Sequence, residues 1–384
     1  MALQPAMAAS IPTDPDNTVM DVKTSLTARL AVSLRDPLWN TEVRRAFSTS
    51  SDVDLVLKTA GSATTVGRNL NSYVTSRNER LLQLKGLPAG QSLLRLRLLR
   101  PEMATAYQSG TAPLIMAEAP DDVTSLTALR TDGSTVTLSK TSFNPNQPVL
   151  VVTYDGARAV ELGMSVMEQT MRALGVASGA SSTTIANDAD AAVRIKTAHG
   201  MSVDGGPGLS VNGGSLQEPW WKGDAEVFGV LGGVGTNTDP NCATKGTCPD
   251  GQPRINNIPM PFWKKNSVFY APNQAIWTTD QFQMDNNGLD LKDLVILEED
   301  DGTSYKELAK STAAIALSKF GQGNYAPIAN TIISNIPDNA FSDDTDTLDT
   351  YSAIANGTPG DSAVVGTQGE LAMNIKVDGS APSS

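Results

Sequence analysis

Apolar residues recur every three or four positions before Gly86, then every second position or in unbroken runs between Pro113 and Asp155. This change of period decides the class of fold, because a stripe spaced for a helix cannot line one face of a strand. Val19, Val22, Leu26, Leu30 and Leu34 mark a helix from Asn17 to Arg35, capped at Asp16 or Asn17 and stopped by Asp36-Pro37. A short helix is predicted over Leu38 to Phe47. A third runs from Val66 to Leu84 through Leu70, Val74 and Leu81, with Gly86 as its stop. Up to Arg100 there are 13 Lys+Arg against 8 Asp+Glu, which reads as solvated helix faces.

The extended part begins with short strands at Pro113, Ser125 and Thr135, the last two joined through the turn dipeptide Asp132-Gly133. Pro148 to Tyr154 reads as a buried strand. Val160, Met164, Met167, Met171 and Leu174 then form an amphipathic helix ended by Gly175, its methionine stripe predicted to face a core rather than a ligand. A Ser/Thr/Ala/Gly-rich stretch leads to strand candidates at Ala191–Lys196, Ala225–Leu231, Arg254–Ile258, Gln274–Thr278 and Leu294–Glu298. Helices are expected over Tyr305–Phe320 and Tyr325–Ile336, and a last strand over Leu371–Val377. The predicted class is α+β. An N-terminus at 1–15, a signal remnant or disordered, precedes a helical region at 16–112 and a small α/β domain at 113–178. A linker at 179–190 leads to a β-sandwich at 191–384, C2-like, with a helical insertion at 303–336.

Composition narrows the function. With 41 Asp+Glu against 29 Lys+Arg, the net charge of -12 argues against nucleic acid as a partner. A single histidine, His199, excludes any site needing two, and beside Gly200 it reads as a loop residue rather than a catalytic base. No run of eighteen apolar residues occurs, so no membrane-spanning segment is expected. Cys242 and Cys248 lie six positions apart among Gly, Pro, Asn and Asp, a spacing suited to one small disulfide in a loop. Together with Ala-Met-Ala near the start, which resembles the end of a secretory signal, they point to a secreted, cell-surface or periplasmic protein.

Acidic charge is concentrated between Asp285 and Thr350, which holds 13 acidic residues and 4 lysines. Crowded carboxylates repel unless a cation sits among them, and oxygen-rich sites suit calcium. The first ligand choices are Asp300, Asp301, Asp343, Asp344 and Asp346, with Glu298, Asp349 and Asp224 as supporters; the spacing is not that of an EF-hand. The other reading of these loops is a solvated acidic surface. Nucleophilic catalysis lacks its motifs, since no Gly-x-Ser-x-Gly elbow occurs and Gly229–Gly235 is followed by no helix. Paired carboxylates at Glu218, Glu226, Glu298 or Glu299 leave open a glycosidase- or peptidase-like hydrolase, and a surface-assembly protein is a third reading. The preferred expectation is a non-enzymatic, calcium-binding or interaction protein whose partner is an extracellular protein or glycan.

The segment Gln217-Glu-Pro-Trp-Trp-Lys-Gly-Asp-Ala-Glu-Val-Phe228 is distinctive. With Asn257–Phe262, Tyr270–Gln274, Leu297–Lys306, the Asp-rich run at Asp343 and Pro148–Val152, it resembles the family catalogued as domain of unknown function 3103. That resemblance implies secretion and a modular, β-rich fold, and no activity. Within the segment, Trp220 is expected in the core, with Asp224 and Glu226 opposite Ala225 and Val227.

Overall fold

The computed structural model describes residues 16–120, 123–139, 141, 144–178, 192–200, 219–235, 253–263, 269–278, 292–320, 347–351, 364–367 and 371–378. Contacts divide the chain into two units. Unit 1 comprises Met1–Leu84 and Ala89–Asp155; unit 2 comprises Lys85–Pro88 and Gly156–Ser384. The division falls inside the stretch expected to be one small α/β domain at 113–178: its strands belong with the N-terminal helices, and its helix with the strands that follow.

Unit 1 opens with α1 (Val19–Ser33), whose cap is Thr18 rather than Asp16 or Asn17. Thr18 Oγ1 accepts from the Asp21 N–H at 3.1 Å and the Asp21 carboxylate accepts the Thr18 N–H at 2.9 Å, a reciprocal capping box. Asp36 then caps α2 (Pro37–Ala46), with Pro37 at its first position where a missing N–H costs nothing. After β1 (Asp52–Asp54) come α3 (Leu55–Ala60), α4 (Thr65–Leu84), β2 (Leu94–Leu98) and the short α5 (Ala104–Gln108). The strands β3 (Leu114–Ala117), β4 (Leu126–Leu129), β5 (Thr135–Leu138) and β6 (Val149–Tyr154) complete a six-stranded sheet in the order β1-β2-β6-β3-β4-β5. Its central pair, β6 and β3, is parallel, and β2 lies antiparallel on the other side of β6. Gly133 takes φ +90°, which the tight turn between β4 and β5 requires. Helix α1 packs on β3 and β6 through Val22, Leu26 and Leu30, all buried.

Unit 2 begins its regular structure with α6 (Gly156–Ala173) and the two-residue β7 (Ala177–Ser178). The strands β8 (Ala192–Gly200), β9 (Val227–Val234), β10 (Pro253–Pro259), β11 (Phe269–Tyr270), β12 (Gln274–Thr278) and β13 (Lys292–Glu298) follow, then α7 (Tyr305–Phe320). Last come β14 (Thr347–Tyr351), β15 (Val364–Val365) and β16 (Leu371–Asp378). One sheet has the order β14-β13-β9-β10-β7; another runs β11-β8-β16-β15, with β12 also on β8. Inward residues of both sheets, including Ile195, Leu231, Ile258, Trp277, Leu294 and Ile375, form one apolar cluster. Alternation along β9 sends Phe228 and Val230 to the opposite face, where Phe228 meets Tyr305 of α7 with ring centroids 5.9 Å apart. Helices α6 and α7 therefore add a layer against the first sheet, and α6 packs along β10 as well as along α7.

The chain is thus α+β. Two sheets share a core in unit 2, and the layer formed by α6 and α7 lies outside the pair. The predicted helix over Tyr325–Ile336, the cysteines Cys242 and Cys248 and the acidic residues Asp343, Asp344 and Asp346 lie outside the described residues. Among the described residues, no helix is long and apolar enough to cross a membrane.

Candidate functional site

Helix α6 does two jobs with one apolar stripe. Met167 and Met171 are fully buried in the core, while Met164 and Val160, one step round the helix, line a cleft of about 640 Å³. The facing wall comes from Asp224 to Val227 at the entrance to β9, and from Ile255, Asn257 and Pro259 of β10. Those β10 residues alternate, as one side of a strand must. Met260, Pro261 and Trp263 close the far end. The methionine stripe expected to be core is therefore core over two residues and cleft wall over a third.

Two polar atoms in this lining have no hydrogen-bond partner. Asn257 is 7% exposed and Trp263 1%, yet Asn257 Oδ1 and Trp263 Nε1 are both unsatisfied. Leaving such groups dry and unpaired costs on the order of 1–3 kcal/mol each. One is an acceptor and the other a donor. Trp263 is held by Tyr270 and Phe262, with ring centroids 4.6 and 4.8 Å away, so its ring is part of the core.

Four carboxylates, Glu161, Glu168, Asp224 and Glu226, also line the cleft, with no Lys, Arg or His beside them among the described residues. Glu161 is paired with Arg158 at 2.6 Å and Glu168 with Arg172 at 2.5 Å along the exposed face of α6. Glu226 lies against the start of α6: a Cβ on Gly156 would sit 2.8 Å from its carboxylate carbon. The positive end of the helix favours an acid there. Asp224 is exposed at the cleft's edge.

The expected site residues are dispersed. Asp224 belongs to the cleft, and of the four glutamates considered for hydrolysis only Glu226 is among its lining residues; Glu218 lies outside the described residues. Glu299 is buried against Lys85, with Lys85 Nζ 2.6 Å from Glu299 Oε1 and 2.6 Å from the Asp300 carbonyl oxygen. The Tyr305 hydroxyl donates to the other Glu299 oxygen. Burial pushes the Glu299 carboxyl up, and Lys85 and Tyr305 offset only part of that. Asp300 Oδ1 accepts the Gly302 and Thr303 N–H groups at 2.7 and 3.0 Å, an Asx turn leading into α7. Asp301 stands beside it, half-buried in that turn, and Glu298 ends β13.

Asp349 faces inward from β14 rather than out from an acidic loop. Its Oδ2 accepts the Leu371 N–H at 2.8 Å and its Oδ1 the Thr350 N–H at 2.8 Å, while the Tyr351 hydroxyl donates to the Leu371 carbonyl oxygen at 2.9 Å. These bonds tie β14 of one sheet to β16 of the other. Trp221, not Trp220, is the buried residue of the Trp-Trp pair; the two rings stand edge to face at 5.6 Å in a turn, and Trp220 stays half-buried. A turn presents consecutive side chains to different sides, so strand alternation placed the wrong tryptophan inside. Among the described residues no group of three or more His, Cys, Asp or Glu is placed to hold a metal ion.

Sequence reasoning missed Asn257, Trp263 and Met260 as a group. Asn257–Phe262 was visible as an unusual segment, but nothing local says that its alternate residues face α6. A family model described as a protein of unknown function, DUF3103, matches residues 28–376. The chain belongs to that family. The DUF3103 match takes in both walls of the cleft, the Lys85–Glu299–Tyr305 cluster and Asp349. No curated protein and no solved structure gives a significant match.

Proposed function

We propose that this chain is a non-catalytic binding protein whose ligand site is the cleft between α6 and β10 in unit 2. The observation that carries the reading is a largely apolar cleft of about 640 Å³ between α6 and β10, lined by residues that include Asn257 and Trp263. That size and that mixture of apolar walls with a few polar atoms are what small-ligand sites have. Among the described residues, the lining carries carboxylates and one hydroxyl, Ser165, with no histidine, cysteine or lysine beside them to act as nucleophile or base. The test is calorimetric titration with tryptophol, a neutral indole alcohol able to fill such a space. It should bind, and Ser165→Trp, a substitution on the exposed side of α6 that projects bulk into the cleft, should abolish binding without changing the melting temperature. Unaltered binding by Ser165→Trp would place the site elsewhere.

A calcium site is the second reading, and it rests on strand register. Leu297 pairs with Thr347, so Glu298, Asp300 and Asp301 leave β13 at the same end at which the chain enters β14 directly after Asp343, Asp344 and Asp346. Acidic residues adjoining one end of one strand pair in the sequence would offer calcium the oxygen ligands it takes. Thermal melts with calcium, magnesium and chelator check it. A calcium-selective rise lost in the Asp344→Asn, Asp346→Asn double variant supports the site, because a ligand bound only by the folded state stabilises it. No shift with either ion removes it.

A further inference from the structure

We propose that Lys85, Glu299 and Tyr305 form a clamp that sets the spacing between the two walls of the cleft, with Lys85 and Tyr305 as positioning residues of the ligand site. The proposal rests on the cleft being that site, as argued above, and adds what fixes its width. None of the three is among the lining residues, so each acts through a neighbour.

Both walls are fastened to this cluster. On one side α6 lies directly on the Tyr305 ring: a Cβ on Gly163 would collide with it, and the next residue, Met164, lines the cleft. On the other side the Glu299 N–H donates to the Glu226 carbonyl oxygen at 2.9 Å, and Glu226 belongs to the wall formed by Asp224 to Val227. Phe228, which follows that wall, meets the same Tyr305 ring with centroids 5.9 Å apart. The clamp closes where the Tyr305 hydroxyl donates to the Glu299 carboxylate. The Met164 side chain can repack around an occupant, but the backbone that carries it is held in place at Gly163.

Lys85 locks the clamp from a short segment, Lys85–Pro88, that belongs to unit 2. Its Nζ donates to Glu299 Oε1 and to the Asp300 carbonyl oxygen, both at 2.6 Å, and its own carbonyl oxygen accepts the Tyr305 N–H at 3.1 Å. Gly86, at φ +65°, lets the segment lie against the start of α7, where a Cβ would come within 2.9 Å of the Lys306 Cβ. The Lys85 and Glu299 side chains are 0% and 1% exposed, so water does not stand in for either partner. Without Lys85, Glu299 loses the cation 2.6 Å away, and burial then drives it to take up a proton or turn toward water. A neutral carboxyl holds the Tyr305 hydroxyl less strongly, and a displaced one releases it. In both cases α6 loses its fixed distance from Glu226.

The experiment places spin labels on the full chain at Gln169→Cys, on the exposed face of α6, and at Gly223→Cys, where a Cβ meets nothing within 4 Å. Cys242 and Cys248 are changed to serine in this parent protein. Label-to-label distances from electron spin resonance should lengthen and broaden in Tyr305→Phe and in Lys85→Met, with thermal melts confirming that each variant is folded. Glu299→Gln added to Lys85→Met should restore the parent distance, because its amide oxygen accepts from Tyr305 without a buried charge. Tryptophol, titrated by calorimetry, should bind roughly tenfold more weakly to both single variants, because a loosened site is no longer preorganised. If Lys85→Met fails to fold, Tyr305→Phe, which keeps the ring, decides. Label distances unchanged in the folded single variants overturn the clamp, and so does an unchanged tryptophol affinity. If tryptophol binds none of the proteins, including the parent, the reading of the cleft as a ligand site falls, and the label distances alone decide the clamp.

Discussion

At the scale of single residues, unit 2 depends on close approaches that leave no room for a methyl group. Gly163 of α6 is the sharpest case, since a Cβ there would fall 2.2 Å from the Tyr305 ring carbons of α7. Gly163→Ala should therefore destabilise by about 1–3 kcal/mol or more, although alanine is the better helix former, because tertiary overpacking outweighs propensity. Chemical denaturation of the variant checks this; an unchanged or raised midpoint would show that α6 and α7 are packed less closely than described. The same ring carries the hydroxyl that donates to Glu299, so displacing it also disturbs the Lys85 pair. None of this was legible in the sequence. Gly163 carries no signal of its own within an amphipathic helix, and Glu299 stood only among four glutamates considered for hydrolysis. Their roles are set by partners far along the chain, with Lys85 and Glu299 separated by more than two hundred positions.

Elements were far more legible than residues, and the reason is periodicity. The helix over Tyr305–Phe320 and the strand at Val149–Tyr154 were expected within a residue, because their apolar patterns are long or unbroken. The strand β2 was missed, although Leu94, Leu96 and Leu98 alternate with arginines, because five residues of alternation inside a helical, basic stretch carry little weight. Those arginines are not idle surface charge: Arg97 pairs with Glu118 at 2.5 Å and Arg95 with Asp155 at 2.8 Å. Helix α1 shows the limit on boundaries. Asp16, Asn17 and Thr18 are all acceptable caps by type, and the choice of Thr18 follows from its reciprocal bonds with Asp21. Thr18→Ala should cost about 1 kcal/mol. Urea denaturation measures it, and a loss no greater than that of Asn17→Ala would point to the wrong cap.

For the molecule as a whole, acidity is the dominant property, and it is handled differently in different places. Glu118 in unit 1 is buried, which pushes its carboxyl up, but Arg97, Lys23 and the Thr153 hydroxyl pull it further the other way, to about 2. A carboxyl held below its unfolded value of 4.5 stabilises the fold above about pH 4.5 and ceases to do so as the pH falls toward 2. The full effect is on the order of 3 kcal/mol. Urea midpoints taken between about pH 5 and pH 3 should fall steeply for the wild type and less steeply for Glu118→Gln. Parallel slopes would assign the acid sensitivity to other carboxylates. Charge count alone foretold an acidic protein; it could not separate an acid clamped by two cations from acids lining a cleft, because that depends on which arginines the topology delivers.

Strand β16 pairs along its length with β8, from Leu371 opposite Gly200 to Asp378 opposite Ala192, and Asp349 fastens the neighbouring sheet to Leu371. The sheet that holds β8 therefore lacks a central member until residue 378 has emerged from the ribosome. The edge of β8 that pairs with β16 stays open until β16 has been made. Contacts this remote in sequence slow closure and lengthen the interval in which other chains or chaperones can engage the nascent polypeptide.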